Sequence, residues 1–173
     1  MAKHPGPPNL DLFPDTSGAY FSPCRVWRYT LWRIWDASLP SVNWLMLNPS
    51  TADEFVLDPT LKRCLNFSRE WGYGGMVITN LFAYRATKPA VMKAYHEPVG
   101  AENDRAIIET ASGADLVVCG WGNHGSHRRR DKEVLGLLSM AKVRLHCLTV
   151  NGDGSPGHPL YLAGNSSPFQ FGK

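Results

Sequence analysis

The sequence predicts an α/β domain, a three-layer sandwich in which helices cover both faces of a mainly parallel central sheet. Short apolar runs of strand length alternate with segments of helical periodicity, which is the pattern of α/β folds. The chain has 173 residues, of which 43% are hydrophobic and 19% are charged. This length and composition favour one core, so we assign an irregular segment to residues 1–24 and a single domain to residues 25–173.

The N-terminal segment leads into the first two predicted strands. Residues 1–24 contain five prolines and little periodicity, which favours irregular structure. Arg25–Trp35 alternates large apolar residues with basic or polar residues, as a half-buried strand does. Val42–Leu47 is a short apolar run that stops at Asn48-Pro49, and it predicts a buried strand running directly into a loop.

A helix and a third strand follow. Asp58-Pro59 begins the helix, because aspartate is a favoured N-cap and proline is favoured at the first helical position. Apolar residues continue at helical spacing until Gly72 ends the pattern. Met76–Phe82 is the next buried strand, and it contains a polar residue, Asn80.

The second half of the chain predicts two more helices and two more strands. A helix over Ala101–Ala111 ends at Gly113, and Leu116–Cys119 is a strand that breaks at the following glycine. Asp131–Ala141 is the last predicted helix, and Val143–Val150 is the last core strand.

Charge and hydropathy exclude several classes of protein. The 18 Lys and Arg residues and 15 Asp and Glu residues give a net charge of +3, which permits a polyanionic partner without requiring one. No apolar run approaches the roughly 20 residues of a membrane helix, and residues 1–14 are Pro-rich and polar, without the hydrophobic core of a signal peptide. We therefore expect a soluble, cytoplasmic monomer with no membrane partner.

The cysteine pattern argues against a closed metal site. Cys24, Cys64, Cys119 and Cys147 are isolated from one another, and two of them lie in apolar strand-like runs, where a reduced thiol behaves as a small hydrophobic group. A weaker alternative is an open metal site with ligands drawn from Cys119, His124, His127, His146 and Cys147. The spacing of these residues along the chain fits a metal site poorly.

Polar residues follow the predicted core strands, and the carboxyl ends of parallel strands form one rim where ligands bind. Asn48 can present its amide to a ligand or a water, or it can cap its own backbone in an Asn-Pro turn. Asn80 can pair with the edge of a planar ligand or with neighbouring loop backbone. His158 can donate a hydrogen bond or act as acid or base, or it can be an ordinary loop histidine.

One dense basic cluster precedes the last predicted helix. Its members are His127, Arg128, Arg129, Arg130 and Lys132. Cations at a helix N-terminus oppose the helix dipole, so a contact with phosphate is a natural use for them. The alternative is a solvated loop with no ligand.

Several peptides, taken in order, resemble a known family. They are LMLNPSTAD, DPTLKRC followed by WGYGG, VITNLFAYRATKP, GWGNHG and GHPLYL. In this order they resemble DUF1643, a bacterial and phage family of unknown function. The resemblance runs from about Tyr29 to Leu162 and is most specific in NPSTAD and TNLFAYRAT.

The same peptides resemble, more distantly, the uracil-DNA glycosylase superfamily, which implies a uracil-DNA-glycosylase-like fold. The loop after Leu47 is similar to the G-x-N-P-G loop of that superfamily. This similarity implies that Asn48 positions the hydrolytic water and that Pro49 and Ser50 contact the substrate. Phe55 resembles the aromatic residue that stacks on the extruded base.

The later peptides resemble the remaining motifs of the superfamily. Thr79-Asn80 with Arg85 and Lys88 resembles T-N-x-x-x-x-R-P, which implies that Asn80 reads the base edge and that the two cations contact nucleic acid. Trp121 lies in a peptide that resembles the superfamily strand ending in W-G, and this similarity implies that Trp121 contacts the substrate. His158 resembles the group that stabilises the departing base anion, although Leu160-Tyr161 stands where the superfamily has Ser-Pro.

These features together predict an enzyme that recognises uracil or a modified base, in DNA or a nucleotide, and hydrolyses its N-glycosidic bond without cofactor or metal. Asp53 is a further catalytic candidate, to assist the water or the oxocarbenium-like sugar. Aromatic stacking, edge hydrogen bonds and a donor for the leaving base suit such chemistry. Two alternatives use the same pocket: a non-catalytic nucleotide- or DNA-binding module, and a base-modifying transferase.

Overall fold

The computed structural model describes residues 17–50 and 56–172, which form an α/β fold with one seven-stranded sheet and four α-helices. The strands are β1 (Ser17–Phe21), β2 (Arg28–Ile34), β3 (Ser41–Met46), β4 (Gly75–Asn80), β5 (Leu116–Cys119), β6 (Leu145–Cys147) and β7 (Phe169–Gln170). The helices are α1 (Pro59–Glu70), α2 (Pro89–Ala94), α3 (Asn103–Gly113) and α4 (Arg130–Met140).

The sheet is mixed rather than mainly parallel, although the α/β class is confirmed. Its strand order is β1-β2-β4-β3-β5-β6-β7. The four central strands β4, β3, β5 and β6 run parallel, whereas the three pairings that involve β1, β2 and β7 are antiparallel. An apolar pattern identifies a strand but not its direction, because direction depends on the connection between strands.

Helices lie on both faces of the sheet, and alternation along β3 shows how the two faces are divided. Trp44 points to the α1 side, where its ring stacks on Trp71 and packs against Phe67. Leu45 points to the other side, into a cluster that includes Ile107 of α3 and Val134 of α4. Both faces of the central strands are therefore buried, as parallel strands require.

Local sequence signals account for the start of α1. The side chain of Asp58 accepts a hydrogen bond from the backbone N–H of Leu61 at 2.8 Å, and Pro59 occupies the first helical position. The predicted N-cap is confirmed.

Three elements differ from the sequence prediction. Ser17–Phe21 forms the edge strand β1 within the segment predicted to be irregular, because it pairs with β2 across a short turn. Pairing is especially close at Gly18, where a Cβ would lie 2.2 Å from the ring of Trp32. Helix α2 has only six residues and was not predicted, and β6 is confined to Leu145–Cys147 within the longer run predicted to be a strand.

The topology creates a crevice at the carboxyl ends of the parallel strands. From β3 the chain passes through α1 to β4 on one side of β3, and it then returns to β5 on the other side. In open α/β sheets, ligands bind at such a reversal of strand order. Within residues 17–50 and 56–172, none of the helices combines the length and apolar character needed to cross a bilayer.

Candidate functional site

A cavity of about 600 Å³ opens at the carboxyl ends of the four parallel strands. Its volume falls in the range typical of small-ligand sites. The loops after β3, β4, β5 and β6 all contribute to its wall. Five residues predicted from the sequence line it together, namely Asn48, Ser50, Asn80, Trp121 and His158.

Backbone hydrogen bonds join these loops to one another and to the strands. The N–H of Ala86 donates to the carbonyl of Pro49 at 2.9 Å, and the N–H of Gly122 donates to the carbonyl of Pro156 at 3.0 Å. Gly120 directly follows β5, and a Cβ there would lie 2.9 Å from Cδ of Pro159. The missing side chain therefore lets the last loop, with His158, approach the sheet closely.

The nitrogen and the oxygen of the Asn48 side-chain amide have different environments. Its Nδ2 donates to the carbonyl of Pro49 at 3.0 Å and to the carbonyl of Ala86 at 2.8 Å. Its Oδ1 accepts no hydrogen bond from the residues that the structure describes. Asn48 thus ties two loops together through its donors, and its acceptor remains available to a water or a ligand.

Asn80 is the last residue of β4 and is 2% exposed. Its Oδ1 is buried and has no hydrogen-bond partner within the described part of the chain. A buried polar atom without a partner costs free energy, so such atoms are uncommon in folded proteins. Because Asn80 lines the cavity, a ligand with a matching donor would satisfy this oxygen.

The geometry of His158 fixes which ring nitrogen can donate. The backbone N–H of Leu160 donates to Nδ1 of His158 at 3.3 Å, so the proton of the neutral ring lies on Nε2. Burial lowers the pKa of His158, and the carboxylate of Asp58 opposes that effect only in part. The half-buried imidazole is therefore neutral at neutral pH and offers Nε2–H as a hydrogen-bond donor.

Asp58 places a negative charge at the edge of the cavity. Its Oδ1 caps α1, and its Oδ2 accepts a hydrogen bond from Oγ of Ser50. The N-terminus of α1 is thereby already occupied by a carboxylate, so a phosphate placed there would meet like charge. This arrangement favours an uncharged polar ligand in the cavity.

Trp121 forms part of a rigid wall. It is 2% exposed, and its ring packs edge-on against Phe171 with centroids 5.9 Å apart. At Gly125 a Cβ would lie 2.3 Å from that ring, so the backbone covers it closely.

Several cavity residues were missed by sequence reasoning, and three of them carry a guanidinium or an amide. Arg28 begins β2, is 2% exposed and lines the cavity, although alternation alone suggested a polar outer face. Asn123 and Asn151 also line it, and Nδ2 of Asn151 donates to Oδ1 of Asn123 at 2.6 Å. Both asparagines lie in the strand-end peptides that the sequence had assigned to the rim, and that position was the available signal.

The predicted nucleic-acid contacts fall into different environments. Arg85 lies beside the cavity, and Lys88 is exposed at the start of α2. Arg128 is exposed and donates to the carbonyls of His96 and Tyr95. Arg129 is exposed and precedes α4.

The prediction for Arg130 needs correction. Its side chain is buried, with Nε donating to the carbonyl of Leu81 at 2.8 Å and Nη1 paired with Glu133 at 3.0 Å. Its Nη2 pairs with Asp104. Arg130 therefore joins α4, α3 and the end of β4, and its buried charge is already paired with two carboxylates of the described residues.

Asp53 and Phe55, predicted as a catalytic and a stacking residue, lie outside the described residues. Among residues 17–50 and 56–172, no group of three or more His, Cys, Asp or Glu side chains is arranged to hold a metal ion. The four cysteines are free thiols, and Cys24 is the exposed one.

A comparison with known families gives one match. The model of a family described as "Protein of unknown function (DUF1643)" matches residues 28–160. This range includes Asn48, Asn80, Trp121 and His158, which line the cavity at the four strand ends. No curated protein and no solved structure matches the chain.

Proposed function

The chain belongs to the DUF1643 family, and for this member we propose an N-glycosidic hydrolase that binds a nucleobase in the cavity, in the manner of the uracil-DNA glycosylase superfamily. The observation that carries the proposal is Asn80, which lines the same cavity as the neutral His158 and whose buried Oδ1 lacks a partner within the described residues. A base edge supplies the donor that Asn80 lacks. The ring of the base also fits a cavity that is lined by Met46, Ile78 and Trp121.

Each polar group has one role in the reaction. Oδ1 of Asn48 accepts a hydrogen bond from a water and aims the oxygen of that water at C1′ of the sugar. The bond between C1′ and the base nitrogen breaks, and its electron pair leaves with the base. Nε2–H of His158 stabilises the negative charge that develops on the base. The hydroxyl remains on C1′, and the proton of the water finally neutralises the base.

The arrangement of parallel strands supports a superfamily-like fold. In chain order the four parallel strands occupy the sheet as second, first, third and fourth, with α1 on one face and α3 and α4 on the other. This order puts the loops that bear Asn48 and Trp121 side by side at the crevice.

A second candidate is a base-binding module without catalysis. Among the described residues that line the cavity, Asp58 is the only carboxylate, and both of its oxygens already accept hydrogen bonds. It is thus poorly placed to take a proton from an attacking water. Asp53, which lies outside the described residues, is the other carboxylate proposed for this step.

The test is an excision assay. The purified protein is incubated with oligonucleotides that contain uracil, hydroxymethyluracil or another modified base, and abasic sites are detected by strand cleavage in alkali. We expect excision from at least one of them, with Asn48→Ala and His158→Ala impaired.

His96→Ala is the matched control, because His96 is an exposed histidine that does not line the cavity. Binding of the oligonucleotide without any abasic product would favour the second candidate. A change in nucleoside mass without release of a base would indicate a transferase. The proposal would be refuted if the protein neither bound any of these substrates nor excised a base from them.

A further inference from the structure

A second groove adjoins the cavity and shares part of its wall. It has a volume of about 530 Å³, and Ser50, Ala86 and Thr87 line both spaces. A ligand that fills the cavity and continues past these three residues therefore enters the groove.

The groove carries positive charge. The guanidinium groups of Arg25 and Arg85 lie 3.9 Å and 5.0 Å from the centroid of the Phe21 ring. Nη1 of Arg85 donates to the backbone carbonyl of Arg25 at 3.3 Å. Two cations are thus gathered on one aromatic ring, an arrangement that favours an anionic ligand between or beside them.

Arg85 also has an unused donor. Its Nε is buried and has no hydrogen-bond partner in residues 17–50 and 56–172, and no carboxylate of those residues forms an ion pair with it. A guanidinium that no carboxylate of the described residues neutralises attracts an anion, and its fork of N–H groups suits a phosphate.

Aromatic side chains form another wall of the groove. The rings of Tyr84 and Tyr95 stack with their centroids 3.8 Å apart, and both residues line the groove. The guanidinium of Arg128 donates to the carbonyls of Tyr95 and His96 and holds this turn in place. Cations next to aromatic rings are the combination found in grooves that follow a nucleic-acid strand.

The cavity and the groove differ in the chemistry that they offer. The cavity presents mainly amides, a neutral histidine and the capped end of α1, with the buried Arg28 as the one guanidinium among its described residues, and this set suits a polar base. The groove presents cations, which suit a phosphate. Since the two spaces share part of one wall, a base and the phosphate attached to its nucleotide can occupy them side by side.

We propose that this groove binds the phosphodiester next to the nucleotide whose base fills the cavity, with Arg85 contacting the phosphate and Arg25 assisting. The inference depends on the proposed function for the identity of the cavity ligand. It adds that the substrate is a polynucleotide strand rather than a free nucleoside.

Fluorescence anisotropy with a labelled single-stranded oligonucleotide tests the groove, because binding is measured whether or not excision occurs. The probe carries the base preferred in the excision assay, or uracil if none is excised. We expect Arg85→Gln to weaken binding. The slope of log affinity against log salt concentration should also become shallower by about 0.7, the value for one lost phosphate contact on a single strand.

Arg144→Gln is the charge-matched control, since Arg144 is exposed and precedes β6 at the opposite end of the strands. Arg85→Lys keeps the charge and should retain most of the slope, which separates a lost contact from a folding defect. Titration with the free mononucleotide identifies the phosphate: an equal loss for Arg85→Gln there would indicate a terminal phosphate instead of a strand.

Two further results would overturn the inference. One is an equal salt slope for Arg85→Gln and Arg144→Gln, and the other is the absence of oligonucleotide binding by the unmodified protein. Strand binding that depends on Arg85 without any excision would instead refute the proposed hydrolase and leave the phosphate site standing.

Discussion

The backbone N–H of Leu160 and Nδ1 of His158 are joined by a hydrogen bond of 3.3 Å, and this bond assigns the proton of the neutral imidazole to Nε2. His158 is also the N-cap of the short 3₁₀ turn Pro159–Tyr161. The local turn therefore sets the chemical role of the ring, which is to donate a hydrogen bond rather than to accept one.

Loss of that donor should slow excision by about 10²- to 10³-fold, the usual cost of removing one preorganised donor to a developing anion. His158→Ala removes the ring, whereas His158→Gln keeps a side-chain N–H and should retain part of the rate. Single-turnover excision rates measure both. Equal rates for His158→Ala and the unmodified protein would contradict the role of His158.

Stability should fall as the pH decreases below about 6.5. Burial lowers the pKa of His158, and burial together with Arg128 and Lys93 lowers the pKa of His127. In this window the unfolded chain binds more protons than the folded chain, so the free energy of unfolding increases with pH. Urea unfolding at pH 7.5, 6.5 and 5.5 should show a smaller decline for His158→Ala. An identical decline would exclude His158 as a contributor.

Asn80 and Asn103 should respond in opposite ways to replacement by alanine. Nδ2 of Asn103 donates to the carbonyls of Asn80 and Leu81, so Asn103→Ala should lower the free energy of unfolding by about 1–3 kcal/mol. Asn80→Ala removes an acceptor that has no partner in the described residues, so stability should be unchanged or higher while base binding is lost. Thermal unfolding and base titration together check this. Destabilisation of Asn80→Ala as large as that of Asn103→Ala would be the contrary result.

Arg129 and Arg130 are neighbours with different expected effects. Arg130→Ala removes the hydrogen bond to Leu81 and the pairs with Asp104 and Glu133, so it should destabilise the fold by about 1–3 kcal/mol. Arg129→Ala changes an exposed side chain and should stay within about 0.5 kcal/mol. Chemical denaturation of both variants gives the comparison. The salt dependence of oligonucleotide binding should not change in Arg130→Ala, and a clear change would restore Arg130 as a phosphate contact.

Local signals were sufficient to predict several elements. Leu116–Cys119 forms a strand over the predicted range, because Gly113 and Gly120 bound the apolar run and so limit where the strand can begin and end. The capped start of α1 was predicted for a similar reason, since Asp58-Pro59 is a signal within two adjacent residues.

Long-range contacts explain what the sequence did not predict. Arg130 looks like its exposed neighbours until Asp104, on a different helix, is brought beside it. The edge strand β1 depends on its pairing with β2, and Arg28 lines the cavity because β2 lies next to β4. Clustering of Asn48, Asn80 and His158 followed from the predicted strand ends, whereas the hydrogen bonds that orient each side chain required the folded structure.

The backbone hydrogen bonds between the cavity loops have a consequence for the thermodynamics of recognition. The described loops at Pro49, Ala86, Gly122 and Pro156 are already joined before a ligand arrives. A ligand therefore need not order them, and little conformational entropy of these segments is lost on binding. If the ligand is the proposed base drawn from a duplex, the main cost then lies in unstacking and unpairing the nucleic acid. Under that proposal, mismatched or single-stranded sites should be bound most readily.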